Sequence, residues 1–184
     1  MHIFPFPSGD VFIETGTGNA ETLVHALREP YREVYSIDVN MDLLAEAQRR
    51  LGADPRLHLR LGSSAEILPT ILDPEKATVF WLDAHYSFGR HSLNQLSDRA
   101  LADVFGECPL MGELAAIKAV NWRVPPVILI DDAICFTREI EQTWAAGINQ
   151  AQWPTVQDIE AALPDGFVLH LEGQGRYFRA EAAA

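Results

Sequence analysis

A glycine turn near the start of the chain has the spacing of a nucleoside-binding loop. The segment Glu14-Thr15-Gly16-Thr17-Gly18 follows an apolar, β-like run at residues 11–13 and precedes a helical pattern. Glycines at this point let the backbone pass close to a ligand at the carboxyl end of a sheet. Asp38 ends the second β-like run, 20 residues after Gly18, where a carboxylate can accept hydrogen bonds from a ribose diol. Together these features favour a nucleoside ligand over the alternative, a tight turn with no ligand.

The charges around the turn indicate which nucleoside it suits. In a dinucleotide-binding fingerprint a third glycine would stand where this chain has Glu21. A carboxylate in the first helical turn would oppose a pyrophosphate bound at that helix N-terminus. Glu14 is equally unsuited to a phosphate, but it suits an amino-acid ammonium group or the neighbourhood of a sulfonium. These charges favour S-adenosylmethionine over NAD.

Three aspartates are expected to meet at the same edge of the sheet. Asp83 follows the apolar run at residues 79–82, and Asp131 and Asp132 follow the run at 127–130. Close carboxylates raise each other's pKa unless a cation lies among them, and oxygen ligands select Mg²⁺, Ca²⁺ or Mn²⁺ over zinc. The sequence therefore predicts a metal site at these three residues, with Mg²⁺ favoured. Capping or turn-forming roles for the aspartate pair are the alternative.

This arrangement suits methyl transfer to a hydroxyl group. The transfer is an in-line displacement at the sulfonium, so the acceptor must be aligned and nucleophilic. A hydroxyl is a poor nucleophile until it loses its proton, and a divalent cation lowers its pKa. Asp83 or His85 is the predicted proton acceptor, and a purely loop-stabilising role for His85 is the alternative.

The elements that position these residues alternate between strands and helices. Strand-like runs cover residues 11–13, 34–37, 57–61, 79–82 and 127–130, and helical patterns cover 20–28, 43–51, 65–72 and 155–163. Two of the runs are apolar on both faces, as in a parallel sheet covered by helices on both sides. Residues 167–171 and 177–180 are separated by Gly173-Gln174-Gly175, a connection that permits only an antiparallel hairpin. The prediction is an α/β, doubly wound, Rossmann-like, mostly parallel seven-stranded sheet with a C-terminal antiparallel hairpin.

Length and charge restrict the class of protein. The chain has 184 residues and a formal net charge of −12, which predicts one domain, residues 1–184, and argues against nucleic acid and anionic membranes as partners. It contains no apolar run long enough to span a membrane, and its two cysteines form no disulfide framework or zinc pattern. We therefore expect a soluble, cytoplasmic protein.

Two long segments are expected to cover the ligand edge. Residues 87–106 and 136–154 are long for loops, and loops of such length often form lids or binding elements. The second contains Phe136, Trp144 and Trp153, which suit either an aromatic wall or core packing. A homodimer that shares these lids is a further expectation.

The motif Glu14-x-Gly16-x-Gly18, the acid Asp38 and the terminal hairpin resemble the class I S-adenosylmethionine-dependent methyltransferases over residues 10–179. The resemblance implies that the glycines line the methionine part, that Asp38 holds the ribose hydroxyls, and that Glu14 contacts the methionine amino group directly or through water. Gly62-Ser63-Ser64 occupies the adenine-contacting segment, where many members carry an acid; a helix N-cap is the alternative for the serines. The implied cofactor-binding residues are Glu14, Gly16, Thr17, Gly18, Asp38, Ser63, Ser64 and Asp83.

The three aspartates at the strand ends resemble those of metal-dependent O-methyltransferases that act on sugar or catechol hydroxyls. The similarity is local, and the nearest group is the macrocin O-methyltransferases. It implies an S-adenosylmethionine-dependent enzyme that methylates a hydroxyl on a small molecule with a divalent cation. Two other hypotheses stay open: a non-catalytic nucleotide-binding or assembly protein with the same fold, and a nicotinamide oxidoreductase.

Overall fold

The computed structural model describes residues 6–86, 95–137 and 150–183, without the side chains of residues 95–98 and 150. The described strands are β1 (Val11–Thr15), β2 (Glu33–Asp38), β3 (Leu57–Leu61), β4 (Thr78–Leu82), β5 (Val127–Ile130), β6 (Phe167–Glu172) and β7 (Tyr177–Ala182). They form one sheet in the order β3-β2-β1-β4-β5-β7-β6. The first five strands are mutually parallel, and β7 is antiparallel to both β5 and β6. The predicted α/β class, strand number and terminal hairpin are confirmed.

Helices connect the strands. They are α1 (Glu21–Ala26), α2 (Met41–Leu51), α3 (Ser64–Ile71), α4 (Gln95–Phe105), α5 (Leu110–Lys118) and α6 (Val156–Ala162), with short 3₁₀ turns at Ala133–Cys135 and Gln150–Gln152. A capping box opens α6: the Thr155 backbone N–H donates to Asp158 Oδ2 at 2.8 Å, and the Asp158 N–H donates to Thr155 Oγ1 at 3.2 Å. This reciprocal pair satisfies two donors that the helix itself leaves without partners.

The structure differs from the predicted elements mainly between β4 and β5. Helix α4 occupies the second half of the segment 87–106, which was expected to be a lid, and α5 was not predicted. Residues 87–94 of that segment, and residues 138–149 of the second expected lid, lie outside the described residues. Helix α1 is also shorter than the predicted span 20–28.

The core lies on both faces of the sheet, which explains the apolar strands. Side chains such as Ile13 and Phe80 pack in one buried cluster with α5 and α6, whereas Phe12 and Trp81 pack in a second cluster with α1 and Tyr31. All five residues of β1 and of β4 are buried, as expected of central parallel strands covered by helices on both sides. No helix in the described residues is long and apolar enough to cross a bilayer.

The register of the parallel strands brings several strand ends to one edge. Thr15, at the end of β1, pairs with Ile37 of β2 and with Leu82 of β4, and Leu82 pairs with Ile130 of β5. The residues that follow these positions therefore meet at the carboxyl edge, where open α/β sheets bind their ligands.

Candidate functional site

A cavity of about 290 Å³ lies at this carboxyl edge, close to the lower limit of typical ligand pockets. Loops after five strands and helix α4 form its walls. Nine of the predicted site residues line it, namely Gly16, Gly18, Asp38, Ser63, Ser64, Asp83, His85, Asp131 and Asp132. The structure thus brings the predicted nucleoside-binding residues and the three strand-end acids into one continuous space.

The glycine turn is required by packing as well as by any ligand. Gly16 and Gly18 have φ angles of 82° and 47°, in the left-handed region that glycine adopts most easily. A Cβ atom on Gly16 would lie 2.2 Å from the carbonyl oxygen of Asp83. Glycine at this position therefore lets the turn after β1 pack directly against the loop after β4.

Asp38 is held in place by two backbone amides. The Thr17 N–H donates to its Oδ2 and the Asn40 N–H donates to its Oδ1, each at 2.8 Å. A carboxylate oxygen can accept more than one hydrogen bond, so Asp38 keeps the capacity to accept the two hydroxyls of a ribose. Asp38 thus lies fixed on the cavity wall, and its binding of a ribose stays a prediction.

Glu14 and Thr17 lie behind the cavity wall. The carboxylate of Glu14, a residue only 2% exposed, accepts a hydrogen bond from Ser36 Oγ at 2.6 Å, and that hydroxyl is 2.7 Å from Thr17 Oγ1. Burial, together with the charges of Asp83 and Asp38, outweighs the Ser36 hydrogen bond and raises the pKa of Glu14 well above its usual value. Neither Glu14 nor Thr17 is among the lining residues, so their direct contact with a cofactor stays a prediction.

His85 lies among the predicted metal ligands. Its Nε2 is 3.0 Å from Asp83 Oδ1 and 3.5 Å from Asp132 Oδ2. Burial lowers the pKa of the ring, but the contact with Asp83 and the charges of Asp83, Asp132 and Asp131 outweigh it and raise the pKa to about 9. The raised pKa favours the charged form of the ring at neutral pH, in which it has no free nitrogen to accept a proton.

Asp131 has the most perturbed carboxyl group of the three. Burial and the neighbouring charges of Asp83 and Asp132 raise its pKa to about 7. Its Oδ1 is buried and has no hydrogen-bond partner among the described residues. Burying an acceptor without a partner is costly, which agrees with a raised pKa for this carboxyl group.

The acids converge as predicted, but the described residues do not support the metal. Within residues 6–86, 95–137 and 150–183, no group of three or more His, Cys, Asp or Glu side chains is arranged to hold a metal ion. The Mg²⁺ predicted at Asp83, Asp131 and Asp132 is therefore not supported. The ring of His85, whose raised pKa favours its charged form, offsets part of the negative charge through its contacts with Asp83 and Asp132.

Several residues of the site escape prediction from the sequence. Asn40, Tyr86 and Arg176 line the cavity, and α4 contributes Leu101 and Phe105. Asn40 could have been identified as the N-cap of α2, since asparagine directly before an amphipathic run is a common helix start. Leu101, Phe105 and Arg176 carry no local signal, because α4 and the turn between β6 and β7 reach the site only through the fold.

A second buried carboxyl group lies beneath the cavity. Glu113 of α5 is 1% exposed, and burial raises its pKa although the hydroxyls of Ser64 and Thr15 act to lower it. An acid on the buried face of a helix conflicts with the usual apolar pattern, and no role was predicted for it.

Comparisons with known proteins give the fold a class. No protein-family model matches the chain, and no curated protein matches its sequence. Among solved structures, spermidine synthase from Thermotoga maritima superposes with a TM-score of 0.57 at 14% identity, covering 98% of this chain and 55% of that one. A protein described as an O-methyltransferase from Nostoc punctiforme gives 0.58 at 17% identity, covering 94% and 51%. One described as an S-adenosylmethionine-dependent methyltransferase from Listeria monocytogenes gives 0.56 at 14% identity, covering 99% and 95%.

These structures share the Rossmann-like fold with this chain. The likeness extends over nearly the whole of the chain, whereas the chain spans only about half the length of the Thermotoga and Nostoc proteins. The predicted α/β, Rossmann-like fold class is confirmed.

Proposed function

We propose that this protein is an S-adenosylmethionine-dependent methyltransferase that transfers a methyl group to a hydroxyl of a small molecule. The observation that carries the proposal is the cavity at the carboxyl edge, where the fixed carboxylate of Asp38 and the glycine turn lie beside a cluster of acids. The methyltransferases among the solved structures of the same fold support it.

The cofactor would lie along the glycine turn. In this proposal Asp38 accepts the ribose hydroxyls, the backbone at Gly16 and Gly18 approaches the methionine part, and Ser63 and Ser64 adjoin the adenine. Thr17 supports the site indirectly, because its N–H fixes the carboxylate of Asp38. Glu14 supports the same turn from beneath through Ser36.

The acceptor would enter the other end of the cavity, formed by Asp83, His85, Asp131 and Asp132, which we call the acceptor end. The hydroxyl oxygen attacks the methyl carbon, the carbon–sulfur bond breaks, and the hydroxyl proton passes to a carboxylate. Asp83 is proposed as that proton acceptor, and Asp131, which also lines the cavity, as a hydrogen-bond acceptor that orients the hydroxyl. His85, as a cation, holds Asp83 and Asp132 in place.

The likeness of the three acids to the macrocin group suggests a sugar or phenolic hydroxyl as the substrate and Mg²⁺ as a helper. An acceptor screen with methyl-labelled S-adenosylmethionine tests the proposed substrate. Titration with Mg²⁺ and with EDTA tests the proposed metal. Nucleic acid and anionic membranes are not proposed as partners, because the net charge is −12. We also propose that the protein forms a homodimer, and light scattering in solution tests this.

Calorimetric titration with S-adenosylhomocysteine, using NAD as control, tests the cofactor assignment. We expect micromolar binding of S-adenosylhomocysteine and no binding of NAD, because Glu14 and Glu21 are unsuited to a pyrophosphate. Binding of NAD alone, or of neither compound, would overturn the proposal. Repeating the titration with Mg²⁺ and with EDTA tests metal assistance, and a second binding event that Asp131→Ala removes would support it.

A further inference from the structure

Glu107 is a buried carboxylate that joins three segments around the acceptor end. It is 1% exposed; its Oε1 accepts from Arg99 Nη1 at 2.9 Å and its Oε2 accepts from Trp153 Nε1 at 3.2 Å. Its backbone N–H donates to Gln152 Oε1 at 2.9 Å, and its carbonyl accepts from the Tyr86 N–H at 2.8 Å. One residue thus ties the loop after β4 to helix α4 and to the segment before α6.

Each oxygen of Glu107 fixes a group that packs against a cavity-lining ring. The Trp153 ring contacts the His85 ring, with centroids 5.1 Å apart. The Arg99 guanidinium lies over the Tyr86 ring, 5.5 Å from its centroid. His85 and Tyr86 line the cavity, whereas Glu107 and Trp153 do not. Glu107 therefore contacts the side chains that pack against the cavity-lining rings, but does not line the cavity itself.

Stability alone does not account for a carboxylate at this position. Burying a charge is costly unless it is paired, and apolar groups of similar size often stabilise a protein as well or better. A charged acceptor with two directed hydrogen bonds does fix the orientation of its partners, and the buried indole N–H needs such a partner.

We propose that Glu107 is a positioning residue for the acceptor end of the cavity. Through Trp153 it fixes the ring of His85, and through Arg99 it fixes the ring of Tyr86, without touching the cofactor or the acceptor. That this end of the cavity binds the acceptor rests on the proposed function. The orientation of the His85 and Tyr86 rings can be measured without any catalytic turnover.

The test compares Glu107→Gln with Asp103→Asn by nuclear magnetic resonance at a single pH. Asp103 is the matched control because it also pairs with Arg99, at 2.9 Å, but is exposed. In Glu107→Gln we expect the ring-proton signals of His85 and the indole N–H signal of Trp153 to move by more than a line width. In Asp103→Asn they should stay in place. Arg99→Met should move the Tyr86 ring signals and leave those of His85 unchanged.

Titration with S-adenosylhomocysteine completes the experiment. Both Glu107→Gln and Asp103→Asn should bind it within about threefold of the unmodified protein, a difference of less than about 0.7 kcal/mol. Unmoved His85 signals in Glu107→Gln, or a tenfold loss of cofactor affinity, would overturn the proposal. If that variant does not fold, Glu107→Asp, which keeps the charge and shortens the side chain, decides by the same signals. If the unmodified protein does not bind S-adenosylhomocysteine, the proposed function fails, while the signals still report on Glu107.

Discussion

Asp38 combines two roles, since it orders the loop after β1 and lines the cavity. Asp38→Ala removes the acceptor of the Thr17 and Asn40 amides together with the proposed partner of the ribose. We expect at least a tenfold loss of affinity for S-adenosylhomocysteine, which corresponds to about 1.4 kcal/mol, measured by calorimetry. Asp42→Asn, at an exposed carboxylate nearby, is the control, and equal affinities in the two variants would contradict the assignment.

Glu14 links stability to pH through its burial. Because its pKa in the folded protein is raised well above the usual value of 4.5, the folded state binds a proton that the unfolded state releases. This contribution to stability is present below that value and is lost as the pH rises through the folded-state pKa, by up to about 1.4 kcal/mol per pH unit. Glu14→Gln mimics the protonated form and should not lose stability in this way.

Thermal unfolding of both proteins between pH 5 and pH 8 measures this effect. The melting temperature of Glu14→Gln minus that of the unmodified protein should increase as the pH rises. Glu160→Gln, a change at an exposed residue, should follow the pH profile of the unmodified protein. A constant difference between Glu14→Gln and the unmodified protein would contradict the expected burial effect.

At the residue scale, the sequence identifies the site residues that directly follow strands. Gly16, Asp38, Asp83 and the aspartate pair after β5 are predictable because the carboxyl ends of parallel strands share one edge. Their charge balance is not predictable. Whether a metal or an imidazolium offsets these acids depends on where the ring of His85 points, and its distance of 3.0 Å from Asp83 is known only from the structure.

At the scale of elements, the contact between the β1 turn and the β4 loop leaves no room for a side chain. Gly16→Ala would place a Cβ atom 2.2 Å from the Asp83 carbonyl oxygen, so the loop after β4 must move. Gly166→Ala is the matched control, because Gly166 has a similar φ angle of 80° but nothing within 4 Å of the added atom. We expect a loss of about 1–2 kcal/mol in the control from backbone strain alone, and at least twice that loss in Gly16→Ala.

Urea unfolding gives the free energy of each variant. A cofactor titration of the folded Gly16→Ala protein should also show weakened binding, because the displaced loop carries Asp83. Equal free energies of unfolding for the two variants would contradict this prediction, because the loop after β4 would then move away from the added Cβ atom without a loss of stability.

The sequence predicts correctly the elements whose hydrophobic pattern is regular. Strands β3 and β5 begin and end where predicted. Strand β5 consists of four apolar residues, three of them buried, whereas β3 alternates leucine with His58 and Arg60 between Pro55 and Gly62. Helix α5 escapes prediction because its buried face includes Glu113 among the leucines. Helix α4 escapes because Val104 and Phe105 are exposed apolar residues, which obscure the helical period.

At the scale of the whole molecule, the net charge of −12 predicts which partners are repelled. A fluorescently labelled single-stranded RNA should not bind at protein concentrations up to about 10 µM in physiological salt, because no counterions would be released from a basic surface. Fluorescence anisotropy measures this directly. Binding that weakens steeply with added salt would contradict the prediction.

The position of β7 between β5 and β6 has a consequence for the order in which the chain can fold during synthesis. Strand β6 emerges from the ribosome before β7, yet its ladder partner in the sheet is β7. Until β7 follows, the apolar edge of β5, at Val127–Ile130, stays without its partner on that side. A nascent chain that stops short of residue 177 therefore presents an unpaired parallel sheet edge, the kind of surface that invites pairing with other chains.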